Sequence, residues 1–320
     1  MIRPALLLSA ALFAGSAVAE GPGDAAAWLT RMMTAAQRLS YSGTFVYQSD
    51  DHSETSRVAR IVDSAGERER LEVLDGSPRE VVRVNDEVRC YLPADRRVIV
   101  DRRGARRSFP ALLSGMAKGL EAHYVIRVGE VERVAGIETR LVTLDPKDAW
   151  RYGYRLWADI GSGLLIKART IDDRGQQVEQ FAFSQVSFGV PSAEETRSRL
   201  QEQSATWRVE QFDAPRDAAA GEPKWRLRES VPGFVKTADL TRHLKEGGPI
   251  VTHVVFSDGV AAVSLFIGPV EAAVKKPAAS RQGALHVYSR RLGELEVTAI
   301  GEVPMATVRR FADMVEVGRP

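Results

Sequence analysis

The stretch that most constrains the fold of this chain is 150–188, WRYGYRLWADIGSGLLIKARTIDDRGQQVEQFAFSQVSF. Its first part alternates large apolar residues with polar or small ones, which is typical of a β-strand with one buried face. The large residues on that face are Trp150, Tyr152, Tyr154 and Leu156. Residues typical of tight turns follow at 160–163 and again at 172–175. The stretch therefore predicts three antiparallel strands whose aromatic face has to be covered by another element.

The preceding part of the chain predicts more strands of the same sheet. Short runs of alternating apolar and polar residues lie between positions 41 and 144, about ten residues apart. Turn dipeptides such as Asp-Gly and Asn-Asp separate them. Apolar residues recur at helical spacing in 28–39 and again in 110–120. We therefore expect one strongly curved antiparallel sheet over 41–189, with both helices on its concave side.

The composition changes after this sheet. Residues 191–223 are rich in Glu, Arg, Ala, Pro and Gly, and predict a linker with a helical or extended piece around Trp207 and Phe212. Two hairpins and a helix beginning near Pro304 follow, which predicts a small α+β domain. The predicted organisation is a large domain over 24–190, the linker, and a small domain over 224–320. The fold class is α+β.

The first 19 residues predict an export signal. A short positive start precedes an apolar run over 5–14, and Ala17-Val18-Ala19 is a small-x-small cleavage site. This run is shorter than the ~20 residues that span a bilayer. We therefore expect a soluble protein of the bacterial periplasm. The formal net charge of +2 and the export signal argue against nucleic acid as a partner.

The residue types needed for catalysis are not arranged in any familiar pattern. The five histidines are scattered without metal-ligand spacing, and the single cysteine, Cys90, lies in a strand-like run without a local base. One cysteine also forms no internal disulfide. No catalytic residue, metal or cofactor is predicted, and the chain is interpreted as a binding protein rather than an enzyme.

Two features favour binding, and each has a structural alternative. Six arginines and one acidic residue occupy 96–107. They are typical either of a solvated loop or edge strand or of an anion site, because guanidinium groups bind carboxylates and phosphates bidentately. The aromatic strand face is either closed core or the lining of an apolar cavity. Both alternatives stay open at this point.

Several short segments together resemble one family. The segments are Leu74-Asp75-Gly76, 78–83 (PREVVR), Tyr152-Gly153-Tyr154 with Trp157 and Asp159, Ser162-Gly163-Leu164, Pro232-Gly233-Phe234 after Trp225, 257–260 (SDGV) with Ser264, and 301–304 (GEVP). In this order, behind an export signal, they are similar to the RseB/MucB family of periplasmic regulators of the envelope-stress sigma factor, sigma-E or AlgU. The resemblance covers nearly the whole mature chain.

The resemblance implies a large domain like the lipoprotein carriers LolA and LolB, an unclosed antiparallel barrel plugged by helices, followed by a smaller domain. It implies binding to the periplasmic part of a membrane-anchored anti-sigma factor, RseA or MucA, which is thereby shielded from the site-1 protease. Lipopolysaccharide or other lipid signals release that shield. The family contributes no catalytic residues. The small domain and the linker are expected to make many of the contacts that bind the anti-sigma factor.

These inferences combine into a hypothesis about the site. The predicted lipid cavity is lined by Phe45, Trp150, Tyr152, Tyr154 and Leu164. The predicted contacts to a lipid phosphate are Arg102, Arg103, Arg106 and Arg107. A periplasmic lipid or lipoprotein carrier is the alternative function, but such a carrier does not need the second domain. The oligomeric state stays open, with a homo-oligomer among the alternatives.

Overall fold

Alternating strands joined by tight turns build the larger part of the molecule. The computed structural model describes residues 22–50, 52–102, 119–212, 216–217, 225–229, 231–243, 248–270 and 277–318. Within these residues the chain forms a twelve-stranded sheet, a seven-stranded sheet, a two-stranded ribbon and four α-helices. The predicted α+β class, with a large antiparallel sheet and a smaller domain, is confirmed.

The large sheet contains twelve strands: β1 (Tyr41–Ser49), β2 (His52–Asp63), β3 (Gly66–Val73), β4 (Arg79–Val84), β5 (Glu87–Leu92), β6 (Arg97–Asp101), β7 (Tyr124–Val134), β8 (Ile137–Pro146), β9 (Gly153–Asp159), β10 (Leu165–Ile171), β11 (Gln177–Phe188) and β12 (Arg208–Phe212). Their spatial order is β12-β6-β5-β4-β3-β2-β1-β11-β10-β9-β8-β7. All neighbours are antiparallel except β12, which pairs parallel to β6. The sheet is unclosed, because β12 and β7 lie at opposite ends of this order.

The inner face of this sheet carries its main apolar core. Tyr41 pairs with Arg60 and Phe45 with Ser56 across β1 and β2, and the buried side chains of this face pack with helix α1 (Pro22–Arg38). The helix predicted at 28–39 is therefore present and covers the inner face. The second predicted helix, 110–120, lies outside the described residues except for its last two positions.

Helix α1 touches the turn between β9 and β10 at a glycine. Gly163 has φ +80°, and a Cβ there would lie 3.1 Å from the backbone oxygen of Arg31 in α1. The Arg31 guanidinium donates a hydrogen bond of 2.6 Å to the carbonyl oxygen of Ile160 in the same turn. The left-handed backbone and the close approach both favour glycine at this position.

The outer face of the large sheet is crossed by residues 191–207, here called the covering segment. It contains α2 (Ala193–Thr196), which begins with a capping box between Ser192 and Glu195, and α3 (Arg199–Gln203). Leu200 and Trp207 pack on a small apolar cluster of β5 and β6 around Tyr91. Much of the predicted linker 191–223 is thus attached to the large sheet, and β12 extends that sheet by one strand.

The second domain is a smaller sheet backed by a helix. Its strands are β13 (Arg216–Asp217), β15 (Val235–His243), β16 (Ile250–Ser257), β17 (Ala262–Pro269), β18 (Ala278–Gln282), β19 (Leu285–Leu292) and β20 (Leu295–Gly301), in the order β13-β15-β16-β17-β20-β19-β18. Helix α4 (Met305–Asp313) packs on this sheet through Phe311, whose ring lies 5.4 Å from that of Phe234. A ribbon of β14 (Trp225–Leu227) and β21 (Val315–Val317) completes the domain.

Across the described part of the chain, no helix combines the length and apolar character needed to cross a membrane.

The contact between α1 and the β9–β10 turn predicts unequal costs for two glycine substitutions. Gly175 has a similar φ of +75°, but a Cβ there would meet nothing within 4 Å. Forcing alanine into the left-handed region costs about 1 kcal/mol, so we expect Gly175→Ala to lower the free energy of unfolding by about that amount. Gly163→Ala should lower it by about 2 kcal/mol or more, because α1 must also shift.

Urea denaturation of the two variants and the wild type measures this difference. Equal losses for both variants would contradict the inferred contact between α1 and the turn.

Candidate functional site

The inner face of the large sheet holds an aromatic cluster contributed by neighbouring strands. Phe45 of β1 contacts Phe181 and Phe183 of β11 edge-to-face, with ring centroids 6.3 and 5.9 Å apart. Phe183 contacts the ring of Tyr41 in the same way at 6.1 Å. These side chains meet because β1 pairs with β11 and the residues lie at alternate positions on both strands. Edge-to-face contacts of this kind stabilise the cluster beyond simple burial.

Helix α1 covers this cluster with apolar side chains. Trp28, Leu29 and Met32 are all at most 9% exposed and belong to the same core as the aromatic residues. The guanidinium of Arg31 lies 4.3 Å from the Trp28 ring and caps it from the solvent side. The cluster is therefore buried beneath one amphipathic helix rather than exposed on an open face.

The structure brings four of the five predicted cavity residues together. Phe45, Tyr152, Tyr154 and Leu164 are each less than a tenth exposed and lie in this one cluster. Trp150 lies apart from them and packs against the core of the second domain. The physical reason is that β9 begins only at Gly153, so the two-residue alternation does not extend back to Trp150.

The second domain closes one end of the cluster. Val260 and Ala284 of that domain belong to the same apolar core as the aromatic residues of the large sheet. The hydroxyl of Tyr152 lies 3.4 Å from Nδ1 of His286, and the two rings are 6.4 Å apart. The aromatic cluster therefore has two covers, helix α1 and the second domain.

His286 is held in this cover by backbone carbonyl groups. Its Nδ1 lies 2.8 Å from the carbonyl oxygen of Val303 and 3.2 Å from that of Ala284, so Nδ1 carries the proton and donates it. Burial lowers the pKa of His286, outweighing these hydrogen bonds and the nearby Asp50, which raise it; Arg281 lowers it further. The buried imidazole is consequently favoured in its neutral form.

The predicted phosphate-binding arginines are only partly described. Arg102 donates a hydrogen bond of 2.7 Å from Nε to Glu87, the first residue of β5. A hydrogen bond from Arg89, followed by this one from Arg102, lowers the pKa of the Glu87 carboxyl group. Arg103, Arg106 and Arg107 lie outside the described residues. Among the residues that the structure describes, no group of three or more His, Cys, Asp or Glu side chains is arranged to hold a metal ion.

A second feature, which the sequence reasoning missed, is a buried ion pair between the domains. Arg151 donates from Nη1 to Asp258 Oδ2 at 2.8 Å, and both side chains are fully buried. Its Nη2 lies 2.5 Å from the carbonyl oxygen of Pro232, and its Nε donates to Asp148 at 3.0 Å. Thus one guanidinium group bonds its own domain once and the other domain twice.

The surroundings of Arg151 include an aromatic ring from each domain. Its guanidinium carbon lies 5.6 Å from the Tyr124 ring of the large domain and 5.0 Å from the Phe234 ring of the second. The Tyr124 hydroxyl donates a hydrogen bond of 3.1 Å to Asp258 Oδ2. Burial is the main cause that raises the pKa of Tyr124, which keeps this hydroxyl protonated as a donor. We define the domain joint by the residues Arg151, Asp258, Tyr124, Phe234, Asp148 and Pro232.

The joint requires close approach of the two domains. Gly233 has φ +81°, and a Cβ there would lie 2.6 Å from the His123 ring of the large domain. Several segments that carry the family resemblance meet here, namely Tyr152-Gly153-Tyr154, Pro232-Gly233-Phe234 and 257–260. Arg151 and Asp258 are separated by 107 positions. Their spacing in the sequence therefore could not predict that they meet, although segments of the family resemblance lie beside or around both residues.

The lowered pKa of His286 predicts that acid destabilises the second domain where it covers the aromatic cluster. When pH falls below about 6.5, histidine becomes protonated in the unfolded chain while buried His286 resists protonation. The contribution of His286 to the free energy of unfolding is therefore complete above about pH 6.5 and is lost as pH falls through its lower, folded-state pKa. His286→Asn should flatten the decline in stability between pH 7 and pH 5.

The measurement is urea denaturation at several pH values. His52→Asn is the matched control, because His52 is exposed. The expectation fails if both variants keep the wild-type slope.

Comparisons with known proteins place this architecture in a family. Residues 24–205 match the MucB/RseB N-terminal domain and residues 219–316 the MucB/RseB C-terminal domain. The chain is 32% identical over 294 residues to the sigma factor AlgU regulatory protein MucB of Pseudomonas aeruginosa, covering 90% of each. It is 24% identical over 306 residues to the sigma-E factor regulatory protein RseB of Escherichia coli K12, covering 95% of this chain and 94% of that one.

Solved structures agree with the sequence comparisons. A crystal structure of MucB in complex with the periplasmic part of MucA superposes with a TM-score of 0.72 at 29% identity, covering 93% of this chain and 100% of the other. A structure of MucB by itself gives a TM-score of 0.67 at 26% identity, with 93% and 99% coverage. The resemblance inferred from the short segments is confirmed: this chain belongs to the MucB/RseB family.

Proposed function

We propose that this chain is a periplasmic negative regulator of a sigma-E-type envelope stress response. It binds the periplasmic part of a membrane-anchored anti-sigma factor similar to MucA or RseA. Bound in this way, the anti-sigma factor is shielded from its site-1 protease. Lipid or lipopolysaccharide signals release the shield, and the protein itself performs no chemistry.

The observation that carries this proposal is the match of both domains to one regulatory family. The relatives are named as regulatory proteins of sigma factor AlgU and of sigma-E. A structure with a TM-score of 0.72 over 93% of this chain is a complex of MucB with the periplasmic part of MucA. Agreement over both domains supports transfer of the binding role to the whole chain rather than to one domain.

The inner face supports the lipid part of the proposal. The apolar side chains of Trp28, Leu29 and Met32 of α1 pack on the aromatic cluster. An acyl chain is apolar too and would take the place of these side chains. Burial of a methylene group is worth ~0.8 kcal/mol, so about ten methylenes gain roughly 8 kcal/mol before ordering costs are subtracted. The headgroup phosphate would lie near Arg102 and the three arginines that follow it.

Reciprocity connects the two ligands. If a lipid binds the partner-free form more tightly than the complex, it must weaken binding of the anti-sigma factor by the same factor. For a lipid to release the anti-sigma factor, α1 or the second domain need only move when the acyl chain enters.

Binding of the partner is tested directly with the full-length mature chain. We expect a saturable complex with the periplasmic segment of a MucA-like anti-sigma factor, measured by calorimetry, and slower cleavage of that segment by a site-1 protease in the complex. A scrambled segment of the same composition is the control. Absence of binding by the native segment would refute the regulatory role.

The lipid switch is tested by titrating lipopolysaccharide fragments into the preformed complex. We expect the affinity for the anti-sigma segment to fall as lipid saturates. A variant with Arg102, Arg103, Arg106 and Arg107 changed to Ala should require more lipid for the same release, because phosphate contacts are lost.

The matched control changes four other arginines to Ala, namely Arg197, Arg199, Arg226 and Arg228, which have exposed side chains on the covering segment and near β14. Partner affinity that is unchanged at saturating lipid would refute the switch. Identical release curves for the two quadruple variants would leave the switch and remove the predicted arginines from it.

A further inference from the structure

The domain joint is built from groups whose burial is costly unless they are fully paired. A buried ion pair is weak evidence for stability, because desolvation offsets much of its attraction. Arg151 and Asp258 are nevertheless both fully buried and come from different domains. Such a pair has a directional consequence, because an arrangement of the domains that separates the partners while they stay buried leaves an uncompensated charge.

Hydrogen bonding at Asp258 makes the arrangement more specific. Its Oδ1 accepts from the backbone N–H groups of Val260 and Ala261 at 3.0 and 2.8 Å, which shapes the turn between β16 and β17. Its Oδ2 accepts from Tyr124 and Arg151 of the large domain. The carboxylate is thus fixed within its own hairpin and presents its second oxygen to the other domain in one direction.

The guanidinium group of Arg151 is equally constrained. It is planar and presents its donors in a rigid fork. One side of this fork bonds Asp148, and the other bonds Asp258 and the carbonyl oxygen of Pro232. A rotation of the second domain about Arg151 would therefore break at least one of its two interdomain bonds.

Contacts elsewhere along the interface oppose motion about the joint. Thr307 of α4 donates a hydrogen bond of 2.8 Å to the carbonyl oxygen of Trp150. At the β1–β2 turn, Asp50 accepts from Arg281 at 2.7 Å and from the backbone N–H of Gly283 at 3.2 Å. Relative motion is the usual expectation for domains with small polar interfaces, but here several separate contacts act together with the shared apolar core.

We propose that Arg151 is a positioning residue for partner binding, which holds the two domains at one angle so that a partner contacting both meets a preformed surface. This inference rests on the proposed function. The apparent affinity of a protein for its partner falls in proportion to the fraction of molecules in the competent arrangement. A variant whose two domains hold the competent arrangement in about a tenth of the molecules would therefore bind its partner about tenfold more weakly.

The first measurement concerns the domains themselves. Spin labels are placed on the exposed residues Val131 of β7 and Ile250 of β16, each changed to Cys in a Cys90→Ser background of the full mature chain. We expect one narrow distance distribution for otherwise wild-type protein and a broad one for Arg151→Gln. Arg197→Gln is the matched control, because it makes the same chemical change at an exposed position of the covering segment.

The second measurement is affinity and association rate for the periplasmic segment of a MucA-like protein. We expect Arg151→Gln to bind at least tenfold more weakly with slower association, and Arg197→Gln to bind as the wild type does. A broad distribution in wild-type protein would overturn the inference. So would a folded Arg151→Gln protein with a broad distribution and unchanged affinity.

The two measurements separate this inference from the function on which it rests. If wild-type protein does not bind the segment, the proposed function fails and the positioning role fails with it, while the distances still decide whether the joint is rigid. A narrow wild-type distribution, a broad Arg151→Gln distribution and weaker partner binding by Arg151→Gln together support both, whereas a narrow Arg151→Gln distribution would overturn the positioning role.

A milder variant keeps the test decisive if Arg151→Gln does not fold, as judged by near-ultraviolet circular dichroism. Arg151→Lys keeps a positive charge opposite Asp258 but lacks the rigid fork that reaches Asp148, Asp258 and the carbonyl oxygen of Pro232 together. We expect partial broadening and about threefold weaker partner binding. A distribution and an affinity both equal to those of the wild type would overturn the inference.

Discussion

The ion pair between Arg151 and Asp258 connects the folding of one domain to its placement on the other. The same carboxylate shapes the β16–β17 turn through Oδ1 and bonds the large domain through Oδ2. Without the second domain, Arg151 would keep only one of its three hydrogen-bonded partners, the carboxylate of Asp148. Each domain therefore completes the bonding of the other, and the two sheets behave as parts of one structure.

The aromatic cluster depends on the same arrangement. Its rings are covered by α1 on one side and by Val260 and Ala284 of the second domain on the other. A ligand that enters the cluster must displace one of these covers, so its binding free energy is the gain from burying its own apolar groups minus the cost of releasing theirs. Such a competition provides a physical basis for coupling between a lipid and a partner without any catalytic residue.

The covering segment attaches the start of the connecting chain to the large domain. It is bonded to the outer face of the large sheet, where Arg70 donates to the carbonyl oxygen of Glu195 and Arg96 donates to Thr206. The strand β12 then pairs parallel to β6 before the chain reaches the second sheet. Residues 191–212 of the predicted linker are therefore attached to the large sheet.

The sequence by itself determined the antiparallel strands, the helix over the inner face, the hairpin around Asp258 and the family, because alternation, helical spacing and turn chemistry are local properties of the chain. It also grouped five residues, of which four, Phe45, Tyr152, Tyr154 and Leu164, meet beneath α1. Only the tertiary structure decided that Trp150 belongs to the other core, that β12 joins the large sheet in parallel, and that Arg151 meets Asp258. These features depend on groups that are distant in sequence, and the burial of a charge is decided by the partners that the fold brings to it.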